Sequence, residues 1–224
     1  MRKMHRKQSG FTIVELMIST TIFSLILMLC LAGILQITKM YYRSVTQNKT
    51  REVARTIADE IGEAIRFTSQ SIQKGNSVSG PLVGTDDEDT GYFCIGQKRY
   101  TYAIDRQVIK SSTLGPRQKK HALWVDKEGD CSGPVDLNID IPSSDGNDMV
   151  SENMRLYKLS VDEVSAIDSS NKLYKISVGV AYGGNDLLMP RPEQEPTELT
   201  CEGAFIGSEF CATTNLSVTV QKRL

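Results

Sequence analysis

Gly10, Phe11 and Glu15 are the residues whose types and spacing point to chemistry. Four cations, Arg2, Lys3, Arg6 and Lys7, precede Gly10, and a long apolar stretch follows it. A secretory signal peptide carries its small-residue cleavage site behind the apolar region, so that region is discarded. Cleavage after Gly10 would do the reverse. It would remove the basic leader, keep the apolar segment, and create a new amine at Phe11. Glu15 would then sit a few residues inside a segment that otherwise suits lipid. A carboxylate there is costly, and an ionisable group within a membrane segment is a functional one by default.

The five cysteines divide in the same way. Cys30 lies in the apolar stretch and reads as a lone buried thiol. Cys94, Cys131, Cys201 and Cys211 lie in the rest of the chain, where an even number in an oxidising compartment reads as two disulfides. Four cysteines allow three pairings. Cys94–Cys131 and Cys201–Cys211 are favoured because each closes a local loop. Zinc is the weaker alternative, with no Cys-x-x-Cys pair and only His121 left once the leader is gone. Catalytic chemistry is missing from the pattern. His121 lies in Lys-Lys-His-Ala-Leu-Trp without a nucleophile motif, and there is neither a P-loop nor a dinucleotide fingerprint. No catalytic residue, metal ligand or cofactor is therefore assigned.

Gly10-Phe11-Thr12-x-x-Glu15 before an apolar helix resembles the type IV prepilin signature. The resemblance implies a prepilin peptidase cutting between Gly10 and Phe11, methylation of the Phe11 amine, and an assembly role for Glu15. It also implies the shape shared by type IV pilins and type II secretion pseudopilins, a long N-terminal helix packed on an antiparallel sheet. The implied partners are the peptidase, other major and minor pilins, the membrane as a single pass, and an inner-membrane assembly platform. The implied location is the cytoplasmic membrane and then the pilus at the cell surface.

The elements that must position these residues are legible without that likeness. Residues 11–35 make an apolar run of about 25 residues, enough for one bilayer span. Its first half holds Thr12, Glu15, Ser19, Thr20 and Thr21 and reads as a surface for helix–helix assembly. No proline interrupts residues 36–67, and Val53, Ile57, Ile61 and Ile65 recur every fourth residue beside Ala54, Ala58 and Ala64. That stripe predicts helix continuing to about Phe67, with one face on the protein's own sheet.

Strand rhythm follows. Alternating apolar residues mark Tyr100–Val108, Tyr157–Val161, Tyr174–Tyr182 and Leu216–Val220, with shorter candidates at Tyr92–Ile95, Ala122–Val125 and Val135–Ile139. Period two implies one buried face and a mostly antiparallel sheet. Residues 68–91 and 183–200 read as loops. The class is α+β. The chain divides into a leader (1–10), a transmembrane helical part (11–35), an amphipathic helical part (36–70) and a β-rich extracytoplasmic head (71–224).

The net charge is −1, and loss of the four leader cations takes the processed chain to about −5. An acidic chain does not attract nucleic acid in bulk. The leader cations, with Lys39 and Arg43 after the span, fit an N-terminus in the cytoplasm. Two charge clusters raise alternatives. Asp86-Asp87-Glu88-Asp89 suggests calcium, but its spacing is not that of an EF-hand and it reads as a solvated loop. Arg117, Lys119, Lys120 and His121 beside Trp124 suggest DNA contact, with a solvated loop the favoured reading. Within the family the resemblance implies, Ala32 stands where major pilins usually carry proline, and the head has four cysteines. These departures favour a minor pilin, PilW-like, of the tip or initiation complex. A J-type type II secretion pseudopilin, a DNA-uptake minor pilin and a membrane-anchored adhesin are the alternatives.

Overall fold

The computed structural model describes residues 10–75, 90–111, 113–115, 117–164, 172–184, 186–190, 199–201 and 207–223. The acidic run at 86–89 and most of the leader lie outside them. The helix α1 spans Ile13–Phe67. The strands are β1 (Gln73–Lys74), β2 (Thr90–Ile95), β3 (Lys98–Ala103), β4 (Gln107–Val108), β5 (Gln118–Lys119), β6 (Leu123–Asp126), β7 (Asn147–Asp148), β8 (Met154–Val164), β9 (Leu173–Tyr182), β10 (Leu188–Pro190), β11 (Leu199–Cys201) and β12 (Ala212–Gln221). The chain divides into two compact units between Tyr42 and Arg43.

In the first unit α1 is apolar over a length that suffices to cross a membrane, and none of that stretch is buried within the chain. In the second unit α1 changes character. Ala54, Ile57, Ala58, Ile61 and Ile65 are buried along one stripe, while Arg51, Glu52, Arg55 and Asp59 stay exposed. The stripe meets the core faces of two five-stranded sheets, ordered β1-β2-β3-β6-β7 and β12-β9-β8-β4-β5. Every pairing is antiparallel except the short parallel contact of β4 with β5. This is the α+β arrangement of a type IV pilin-like fold. Phe93 faces Tyr100 across β2 and β3, and their rings stack at 4.8 Å. The turn between these strands needs Gly96, whose φ of +62° disfavours a side chain.

Among the departures from the sequence expectations, which include the short β1 within the predicted loop and the break between β3 and β4, three bear on the packing. First, Tyr157 does not share a face with Leu159 and Val161. The β8–β9 register shifts between Leu156 and Lys158, a bulge that sends Leu156 and Leu159 to the main core and Tyr157 to the opposite face. Gly179 makes room there, since a Cβ would come within 2.6 Å of the Tyr157 ring. The Tyr157 hydroxyl then donates to Thr214 O at 3.1 Å. Second, Val135–Ile139 is turn, not strand. Asp136 accepts the Asn138 N–H at 2.8 Å, which curls the segment, and Leu137 dips under Ala103 and Trp124 with Val135 half-buried against them. Third, the region read as a loop over 183–200 contributes the short β10–β11 pair, which extends to Cys201.

Candidate functional site

The start of α1 is built by two side chains of the N-terminal motif. Thr12 immediately precedes the helix, and its Oγ1 accepts the Glu15 N–H at 3.3 Å. Glu15 turns back, and its Oε2 accepts the Thr12 N–H at 3.0 Å and the Thr12 hydroxyl at 2.9 Å. The first helical bond, Leu16 N–H to Thr12 O, follows at 3.2 Å. This is a capping box, in which residues three apart satisfy each other's backbone N–H groups at a helix start. The sequence carried its signal, Thr-x-x-Glu before an apolar run, but the sequence reading placed Thr12 on a helix–helix assembly surface and not in a cap.

Gly10 and Phe11 precede the cap and are exposed, Phe11 by 76%. A Cβ built on Gly10 meets nothing within 4 Å. The fold itself places no demand for glycine there, so any such demand comes from whatever handles the junction. Beyond the cap, large apolar side chains are exposed on all sides of α1 from Ile13 to Val45. Thr20, Thr21 and Thr38 return their hydroxyls to Met17, Ile18 and Ile34 carbonyls at 3.0, 2.8 and 2.8 Å. These hydroxyls are satisfied within the helix before any neighbour arrives. Cys30, expected to be buried, is a free thiol exposed on the helix surface.

The cysteines of the head form the bonds Cys94–Cys131 and Cys201–Cys211. The first joins β2 to the long segment after β6. Arg99 holds the same segment, bonding Asp126 Oδ2 at 2.8 Å and the carbonyls of Asp130 and Gly133 at 2.8 and 3.2 Å. Buried Asp126 also accepts from Trp124 Nε1 at 2.9 Å and from the Ser143 hydroxyl. Among the described residues, no three His, Cys, Asp or Glu side chains gather as a metal site.

The basic cluster is neither the solvated loop favoured from sequence nor a stacking surface. Lys119, His121 and Trp124 are buried. Lys120 pairs with Asp140 at 2.7 Å, and that ammonium holds the exposed Asp140 carboxyl below its ordinary value. His121 lies between Asp148 Oδ2, 2.8 Å from Nδ1, and the Ile139 carbonyl, 3.1 Å from Nε2. Both ring nitrogens serve the fold. Of the four residues only Arg117 is fully exposed.

Residues 5–31 match the family described as the prokaryotic N-terminal methylation motif. The match contains Gly10, Phe11, Thr12 and Glu15 and covers the second half of the leader and the apolar helix as far as Leu31. It supports a type IV pilin-like prepilin, and with it processing by a prepilin peptidase and association with a membrane. It also suggests a structural protein in place of an enzyme. No curated protein and no solved structure matches the chain.

Proposed function

We propose that this chain is a minor pilin, PilW-like. It is cleaved between Gly10 and Phe11, methylated at Phe11, and assembled through α1 into the tip or initiation complex of a type IV pilus. The N-terminus lies in the cytoplasm until assembly carries the head to the cell surface. The observation that carries this is the exposed Gly10–Phe11 junction set just before a capped helix whose first part is apolar and long enough to cross a membrane. A cleavable secretory signal would not retain that helix.

Glu15 has a part in both states. In the single chain its Oε2 closes the cap. In a helical stack the Phe11 amine of a neighbouring subunit would approach the same carboxylate and offset the cost of taking it out of water. Glu15→Ala should enter the membrane as well as the parent chain, since a polar group leaves the span, but should fail to enter pili. Glu15→Lys should assemble no better, placing two cations together. The experiment pairs membrane fractionation with recovery in sheared pili. Full incorporation of Glu15→Ala would remove the carboxylate from the assembly step. A J-type pseudopilin uses the same helix chemistry. Recovery with a secretion pseudopilus in place of a pilus would select it.

A further inference from the structure

One short stretch of α1 carries cations and aromatic rings together. Lys39, Tyr41 and Tyr42 close the first unit, Arg43 follows on the same helix, and all four are exposed. The two tyrosine rings meet edge to face, their centroids 5.9 Å apart. No acid occurs between Glu15 and Glu52, and among the described residues none pairs with Lys39 or Arg43. Along the helix Glu52 is the nearest acid, about 13 Å beyond Arg43. The next cations, Lys49 and Arg51, lie beside it.

The distance from Glu15 fixes the depth of this stretch. From Leu16 to Thr38 α1 carries no charge. That is about 23 residues, or roughly 34 Å of helix. A hydrocarbon core is about 30 Å thick, and each headgroup layer adds about 5–7 Å. A helix that crosses with Glu15 near one boundary therefore brings Lys39 to the other. Positions 39–43 then rise about 6 Å, the thickness of one headgroup layer. Tyrosine suits that depth, with an apolar ring and a polar tip. Lys39 and Arg43, four residues apart, share a helix face, and their long stems let the charged ends reach the phosphates.

We propose that Lys39, Tyr41, Tyr42 and Arg43 form a collar that binds the phosphates of anionic phospholipids, at the membrane face from which the chain leaves toward its head. The collar rests on α1 crossing a membrane and not on the pilus assignment. The Arg43 guanidinium can take two phosphate oxygens at once, and the Lys39 ammonium acts as a point charge beside it. Phosphatidylglycerol fits this pair, because its phosphate is its only charge. In phosphatidylcholine the same phosphate comes with a quaternary ammonium, which two cations repel. Lipid is a better occupant than an acidic protein surface, since headgroups already surround the helix at this depth before any subunit arrives.

The test places the full chain in phosphatidylcholine bicelles, adds phosphatidylglycerol stepwise, and follows the arginine Nε–H groups by NMR. Arg43 and Arg51 are the same residue on the same helix, and both are exposed. Arg51 stands about 12 Å further along, beyond a Debye length of about 8 Å. Arg43 should shift and saturate while Arg51 stays still. A cation near an anionic surface strengthens the attraction about fivefold. Lys39→Gln should therefore raise the phosphatidylglycerol fraction needed at Arg43 about fivefold, and Lys39→Arg should restore it. Inorganic phosphate added to phosphatidylcholine bicelles should leave Arg43 unmoved, and an equal response to it would overturn lipid as the ligand. Equal movement of Arg43 and Arg51 would mean a diffuse surface field and would overturn the collar. Cys30, a free thiol, tests the span itself with a water-soluble maleimide. An open Cys30 would overturn the span and the collar together. A shielded Cys30 with a still Arg43 would overturn the collar alone.

Discussion

Ile22 and Ile61 are the same residue on the same helix, and their burial separates what α1 does in its two parts. Ile22 is 56% exposed, whereas Ile61 is 0% exposed in the core stripe. Ile61→Ala removes buried methyl and methylene groups and leaves a cavity between α1 and the sheets, a change that typically costs about 2–5 kcal/mol. Ile22→Ala empties no cavity within the chain and favours helix slightly, so its effect on the head should stay within about 0.5 kcal/mol. For a unit the size of the head, each kcal/mol shifts Tm by roughly 2–4 °C. A loss near 3 kcal/mol therefore lowers Tm by about 6–12 °C. The chain has one tryptophan, Trp124, and it is buried in the head, so its fluorescence reports this unfolding alone. Thermal melts of both variants in detergent make the comparison. Equal shifts for the two would refute the assignment of residues 54–65 as the cover of the sheets.

The two disulfides should differ in weight. Cys94–Cys131 closes a separation of 37 residues and Cys201–Cys211 one of 10, which the chain-entropy relation converts to about 4 and 3 kcal/mol. Urea unfolding of Cys131→Ser and Cys211→Ser should rank them in that order, and free thiols at all four positions in exported protein would contradict both bonds. Tyr100 is fully buried, and its hydroxyl finds no partner among the described residues. Burial first, then Glu60 and Glu63, push its phenol above the ordinary value of 10.0. The folded state favours the neutral phenol, so this contribution is complete below pH 10 and falls away as pH rises above it. Tyr100→Phe should leave stability at pH 7 equal or up to about 1 kcal/mol higher and flatten the loss between pH 10 and 11 in an alkaline melt series.

The helix and the sheet class were legible because each rests on a repeated pattern. Ile57, Ile61 and Ile65 recur at helical spacing, and β9 and β12 alternate without a break, so neighbouring residues vote the same way. Tyr157 was assigned to the wrong face because one inserted residue reverses every later side chain, and nothing in its own neighbourhood announces a bulge. Val135–Ile139 alternates like a strand, but Asp136 turns it first. The motif at Gly10–Glu15 was readable because its identities are fixed and local. The state of Lys119, His121 and Trp124 was not, because the cluster is held by residues brought in from other strands and loops, Asp148 on His121, Asp140 on Lys120 and Ser143 on Trp124.

Mass spectrometry of the N-terminal peptide is the most direct measurement, on protein recovered from cells with an active prepilin peptidase. Processing after Gly10 predicts a peptide that begins at Phe11 and carries one N-terminal methyl group, with Met1–Gly10 missing. Recovery of only the intact chain from Met1, in membranes where a known prepilin is fully cleaved, would contradict it.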